Sequence, residues 1–396
     1  MALPCVEPLS SLASLDRGLL NVFVLGPGQG EAIAVALPER GWILVDGCRA
    51  PRHRRRDPFP LERLMSRFAA KDEPITLVLT HPHRDHVHGF AELIEAVEPT
   101  TVALTGMAEG DALVRTLADE AEAMADARQQ EDTGRKLLAA AVLQALRAIN
   151  TWVEDNPNGL VALHDGVHLD DRADLDVYAR APDETLLTGW FERGEMADMI
   201  ANRANALSAV LELNYGSLTV VLGGDLPVRD SRGKVPTGWD RVLASHGHLL
   251  HHRAFKVPHH GSRDALHHEL IAPSPVGADR VWLVTPFNSS SLPRLDKEDG
   301  LERLLSGQSP IHLTAPSASV PLQRAHRDGR VTPAQLGEFT DQLRSSGSPF
   351  QPNDTVYRLD RDVAPLAAVW GVAFDQQGPV ARWRGETALE VHQPRE

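Results

Sequence analysis

Cysteine is scarce in this chain. Cys5 and Cys48 are the only two among 396 residues, too few for a disulfide framework and suited to a reducing, cytoplasmic setting. Long apolar runs are missing as well. The best, Leu137–Leu143, stops at Gln144 and Arg147, well short of the ~18 residues of a membrane-spanning helix, so no membrane association is expected. No basic residue precedes Arg17 and Glu7 is acidic, which makes a poor signal peptide. Positive charge is in deficit: a formal net charge of −14 argues against a general nucleic-acid coat, because phosphate binding relies on clustered Lys and Arg. With 42% hydrophobic and 24% charged residues the composition is that of a globular protein, and disorder and fibrous repeats are excluded.

Histidine is plentiful and uneven, with eight of the 18 between His246 and His268. The basic residues are uneven too. Lysine supplies 5 of the 40, and Arg52, Arg54, Arg55 and Arg56 fall within five positions. Short β-rich runs at Asn21–Leu25, Ala32–Leu37 and Trp42–Val45 precede a helical pattern at Leu61–Phe68. A strand at Ile75–Leu79, a helix at Phe90–Val97 and a strand at Thr101–Leu104 follow, an order that predicts a layered α/β fold. From about 110 to 155, Ala, Leu, Glu, Arg and Gln at helical spacing predict a two-helix insertion broken near Asp132-Thr133-Gly134. It could pack on the main domain, act as a lid, or serve as a dimerisation arm. Further strands are expected at Leu175–Tyr178, Ala209–Leu213, Leu218–Leu222, Ala254–Val257 and Val281–Val284, and a helix near Trp239–Leu250. The tail is loop-rich until Ala367–Phe374 and Val380–Arg384.

Chemistry concentrates at Thr80-His81-Pro82-His83-Arg84-Asp85-His86, directly after the strand Ile75–Leu79. Imidazole and carboxylate are ligands of zinc and manganese. Pro82 forbids a regular helix across the cluster and favours a turn that gathers the side chains. THPHRDH resembles the T-H-x-H-x-D-H signature of the metallo-β-lactamase superfamily. Gly28-Gln29-Gly30-Glu31-Ala32, Val45-Asp46-Gly47, Val221-Leu222-Gly223-Gly224-Asp225 and Val257-Pro258-His259-His260-Gly261-Ser262 look like its companion motifs, in the expected order. The last of these, with Asn205-Ala-Leu-Ser208, resembles the branch that includes the hydrolase domain of the DNA-uptake protein ComEC.

The resemblance spans about residues 20–290. It implies an αββα four-layer sandwich, with a hydrolase domain over 1–330, the helical insertion at about 110–155, and a C-terminal extension at 331–396 packing on the same domain. It further implies two divalent ions, zinc or manganese: His81 and His83 on one, Asp85, His86 and a histidine of the His259-His260 pair on the other, and Asp225 bridging. His260 is favoured as the ligand and His259 as a contact to substrate or leaving group, with the reverse kept open. Asp85 would both ligate and orient the attacking water. One histidine usual in the family is missing, since none lies between His168 and Asp225. Asn205, with Asn202 as second choice, falls in that region, so the first ion site is expected to be weak and to favour manganese over zinc.

His246, His248, His251 and His252 are read as structural or surface residues, as are His267 and His268. Arg52, Arg54, Arg55 and Arg56 follow the acidic strand end and could seat a phosphate; a solvated loop is the plain alternative. Asn288-Ser-Ser-Ser resembles the post-strand Asn segment of ComEC-type domains, which implies a contact of Asn288 to substrate. Three functions remain open: a metal-dependent phosphodiesterase or nuclease acting on a nucleic acid or nucleotide, a hydrolase of a small ester, lactone or thioester, and a binding protein with a decayed site.

Overall fold

The computed structural model describes residues 3–26, 30–47, 60–106, 133–171, 174–229, 236–273, 280–287, 292–293, 300, 303–304, 306–307, 309–314, 369–385 and 388–391. Arg52, Arg54, Arg55, Arg56 and Asn288, and the first helix expected in the insertion, lie outside these residues. In chain order the elements begin with β1 (Val6–Pro8), β2 (Leu20–Leu25), β3 (Ala32–Ala36) and β4 (Trp42–Val45). Then come α1 (Pro60–Phe68), β5 (Ile75–Leu79), α2 (Arg84–Val87), α3 (Phe90–Val97), β6 (Thr101–Thr105), α4 (Thr133–Asp155) and β7 (Leu160–Leu163). The second half has β8 (His168–Asp171), β9 (Leu175–Ala181), α5 (Glu184–Glu192), α6 (Met196–Asn202), β10 (Val210–Tyr215), β11 (Leu218–Leu222) and α7 (Gly238–Ser245). It closes with β12 (Ala254–Lys256), β13 (Val281–Val284), β14 (Ile311–Leu313), β15 (Val369–Phe374), β16 (Pro379–Arg384) and β17 (Leu389–Val391).

Among the described residues these strands form two sheets. One runs β1-β16-β15-β2-β3-β4-β5-β6-β7 and the other β17-β14-β13-β12-β11-β10-β9-β8. Strands covered on both faces lose the polar half of the usual alternation, and β2 reads LNVFVL with every residue buried. Its period of two still sorts the faces. Val22 and Val24 point into a core shared with Leu211, Leu213 and Val220 of the other sheet, while Phe23 and Leu25 face Leu64, Phe90 and Ile149 on the helices. A third core packs Val221, Phe255 and Trp282 against Trp239 and Val242 of α7. Three apolar layers between two sheets and their flanking helices make the four-layer αββα sandwich.

Two regions deserve comparison with the sequence reading. Within the expected insertion, α4 begins at Thr133, beside the expected break, and buries Val142, Ala145, Leu146 and Ile149 in the outer helical core. It also connects β6 to β7, which pair in parallel, and parallel neighbours require a crossover of this kind. The C-terminal region does more than pack on the domain: β15 pairs with β2, β16 with β1, and β17 with β14. Residues beyond 330 therefore complete both sheets.

Candidate metal centre

Three of the parallel strands are followed directly by polar groups of the site: Asp46 after β4, Thr80 and His81 after β5, Thr285 after β13. Backbone geometry sharpens the aim. Gly47 lets this strand end approach α3, since a Cβ on it would lie 3.1 Å from Phe90 N. Gly224 has φ +51, and a Cβ there would meet Ala209 O at 2.8 Å, so the turn that presents Asp225 needs glycine. Asp46, His259 and His260 also adopt left-handed φ values of 60, 46 and 54. That conformation costs a non-glycine residue roughly 1–2 kcal/mol, and such strain tends to collect at functional positions.

Six side chains converge. The atoms of Asp85, His86, Asp225 and His260 that could hold an ion lie within 4.8 Å of one another, and so do those of His81, His83 and Asp225. Asp225 is common to both groups. His86 Nε2 is 3.3 Å and His81 Nε2 3.9 Å from Asp225 Oδ2, and His260 Nε2 is 3.1 Å from Asp85 Oδ2. His83 Nδ1 contacts Asp85 Oδ1. His83 is the partly exposed member; His81, His86, Asp225 and His260 are buried.

The outer partners settle the histidine tautomers. Asp46 accepts from Thr80 N–H at 2.8 Å, from Thr80 Oγ1 at 2.7 Å and from His86 Nδ1 at 2.6 Å. The Thr80 hydroxyl, committed as donor to Asp46, accepts from His81 Nδ1 at 3.0 Å. Across the site, His260 Nδ1 donates to Thr285 O at 2.9 Å, and Thr285 Oγ1 donates to Glu31 Oε2 at 2.7 Å. Buried Glu31 in turn pairs with buried Lys256. Each Nδ1 is thus committed to its outer partner and each Nε2 faces inward, the atom that would bind a metal once it has given up its proton.

The donor set fits divalent ions on its own evidence. Among the described residues, His81 Nε2, His86 Nε2 and both oxygens of Asp225 are buried with no hydrogen-bond partner, a costly arrangement unless another group satisfies them. Charges follow the packing. Burial opposes ionisation of Asp225, but the charges of His86 and His260 hold its carboxyl well below the usual range. Burial likewise opposes ionisation of Asp85, which His86 and hydrogen bonds from His260 and His83 keep well below that range. Burial and the charge of His86 push His81 down; His86 itself is raised against burial by Asp225, Asp46 and Asp85.

A cavity of about 1060 Å³ opens beside these groups, with His83 and His259 in its wall. Asn205 lines it too, its Nδ2 donating to His259 Nε2 at 3.2 Å; the amide is a partner of His259. Sequence reasoning did not find four other lining residues, Arg203, Arg229, Arg263 and Arg303. They lie in separate segments, and only the fold gathers them. His267 and His268, read as structural, also line the cavity. His246 and His248 instead bond Asp165 at 2.8 Å and Glu212 at 2.7 Å. A further grouping, His168, Asp171 and Asp176, sits on the β8–β9 edge and is largely exposed.

Residues 25–105, from the end of β2 to the end of β6, match the metallo-beta-lactamase superfamily. The sandwich is of the fold that this family defines, and the matched stretch contains Asp46 and the whole THPHRDH segment. No curated protein matches the chain. Among solved structures, the chain is similar to AidC, described as a dizinc quorum-quenching lactonase in complex with a product. Identity is 16% and the TM-score 0.30, over 56% of this chain and 67% of that one. So distant a likeness carries no argument about activity.

Proposed function

From a metallo-β-lactamase-type sandwich whose strand ends carry clustered histidines and carboxylates, we propose a metal-dependent phosphodiesterase acting on a nucleic acid or nucleotide, of the ComEC-like branch. His81, His83 and Asp225 would hold one divalent ion, and Asp85, His86, Asp225 and His260 the other, with zinc or manganese as the ion. Such a pair supplies Lewis acidity toward a phosphoryl oxygen and makes water nucleophilic at neutral pH. The protein's own groups do the positioning. Asp46 keeps His86 protonated at Nδ1 directly and His81 through Thr80, and Thr285 does the same for His260. Asp85, held between His83 and His260, orients the attacking water. His259, with Asn205 donating to its Nε2, carries its proton on Nδ1 and contacts the leaving group.

The observation that carries the phosphodiester reading is the cavity wall. A protein of net charge −14 brings four arginines to a cavity that adjoins the candidate metal groups. Guanidinium is the side chain that binds phosphate oxygens two at a time, and a local basic entrance is what a polyanion needs to approach an acidic surface. Arg52, Arg54, Arg55 and Arg56, which follow Gly47 in sequence, are proposed to help seat the phosphate.

The test is a panel of single- and double-stranded DNA, RNA, cyclic dinucleotides, bis-p-nitrophenyl phosphate, lactones and thioesters, run with zinc and with manganese. Hydrolysis of a phosphodiester, lost on chelation and in Asp225→Ala, is the expected result. Cleavage of a lactone or thioester with no phosphodiester cleaved would replace this reading with the small-ester one. Metal content unchanged in both Asp85→Ala and His86→Ala would overturn the ligand assignment.

A further inference from the structure

The four cavity arginines are not equivalent. Arg203 bonds Asp198 at 3.0 Å and Arg229 bonds Asp240 at 2.8 Å, so part of their charge is spent inside the protein. Arg263 and Arg303 pair with no carboxylate among the described residues; Asp264 is the acidic group that shares the cavity wall with them. Both stand next to the His259–Ser262 turn. Arg263 follows Ser262 directly and is exposed. Arg303 is half-buried, and its neighbour Leu304 lies within 3.4 Å of where a Cβ on Gly261 would be. Among the described residues, therefore, two guanidiniums without a carboxylate partner stand on the cavity side of the turn that carries His259 and His260. Neither belongs to the metal-ligand groups.

We infer that Arg263 and Arg303 form a subsite for a second phosphate of the substrate, so that the preferred substrate is an oligonucleotide carrying a phosphate adjacent to the scissile one. This rests on the phosphodiesterase reading for the identity of the substrate, though not for the existence of the anion site. A cavity of about 1060 Å³ lies at the upper end of small-molecule pockets, roomy enough for more than a single phosphodiester linkage. Each arginine would contribute charge-assisted hydrogen bonds to a dianionic terminal phosphate, and Asp264 would disfavour a carboxylate or phosphate displaced toward its side of the wall.

Two measurements on the full chain test this, with Arg263→Gln/Arg303→Gln as the variant and its thermal midpoint and metal content as folding controls. In the first, a dinucleotide with a 5′-phosphate is compared with the same dinucleotide lacking it. The parent should prefer the phosphorylated form by about tenfold in kcat/KM, the scale of a lost charge-assisted hydrogen bond, and the variant should lose that preference. In the second, inorganic phosphate is titrated calorimetrically into chelator-treated protein, and the variant should bind about tenfold more weakly. A variant that keeps the preference, or a parent that shows none while cleaving both dinucleotides, overturns the subsite. If no phosphodiester is cleaved with any ion, the functional reading fails and the titration alone decides: weaker phosphate binding in the variant sustains the anion site, and equal binding removes it.

Discussion

A single carboxylate, Asp46, accepts three hydrogen bonds and through them fixes the proton positions of two imidazoles. It is not itself among the two groups that share Asp225, so its loss should act on affinity and leave the donor atoms in place. Asp46→Asn is expected to lower metal affinity by about 10–100-fold, the usual effect of removing a hydrogen-bond partner of a ligating histidine; competition with a chromophoric chelator measures it. His252 makes a different residue-scale case. Burial, with the charge of Arg280, lowers its pKa to about 3, and its Nδ1 donates to Leu249 O at 2.9 Å. Between pH 3 and the ordinary value of 6.5 the unfolded chain binds a proton at this residue and the folded chain does not. Stability from this group is therefore complete above pH 6.5 and falls as pH drops toward 3, by ~1.4 kcal/mol per pH unit at most. His252→Asn, which retains a side-chain donor, should flatten the slope of stability against pH over that range by up to one proton in urea titrations; an unchanged slope would refute the assignment.

At the scale of elements, the two sheets are tied beneath the site by charge as well as by apolar packing. Glu31 immediately precedes β3 in one sheet, Lys256 ends β12 in the other, and both are fully buried. Lys256→Met strands a buried carboxylate and should cost ~3–5 kcal/mol, while adding Glu31→Gln should recover part of it; denaturation of chelated protein keeps metal linkage out of the comparison. The elements also show which parts of the fold are legible in sequence. Ile75–Leu79, Leu218–Leu222 and Val281–Val284 are read to the residue because each is an apolar, β-branched run with a sharp polar or glycine boundary. The three-residue strands β1, β14 and β17 have no such signal; their partners in the sheet make them strands. Helix α5 has a signal in sequence that the expected elements above do not include: Asp183 caps it by accepting from Thr185 N at 3.0 Å and Leu186 N at 3.2 Å, a recognisable start. The site divides in the same way. His81, His83, Asp85 and His86 stand within six positions and announce themselves, whereas Arg203, Arg229, Arg263 and Arg303 span a hundred residues and meet only in the folded cavity.

For the whole molecule, the decisive feature is where the chain closes its sheets. β15 lies between β2 and β16, so both the strand bearing Phe23 and the edge strand β1 depend on residues near the C-terminus. Truncation after residue 368 should leave β2 as an apolar edge with unpaired backbone groups, and such edges recruit other chains. Light scattering and sedimentation of the truncated chain should therefore show aggregation, and a soluble, monomeric, metal-binding fragment would contradict it. The same arrangement sets a clock on biosynthesis. With Leu25 already outside the ribosome, its partner Val369 follows roughly 350 residues later, a wait of roughly 20–70 s at ~5–20 residues per second. Throughout that interval the nascent protein holds an unfinished, adhesive border, so its yield in the cell depends on whatever shields β2 until β15 is made.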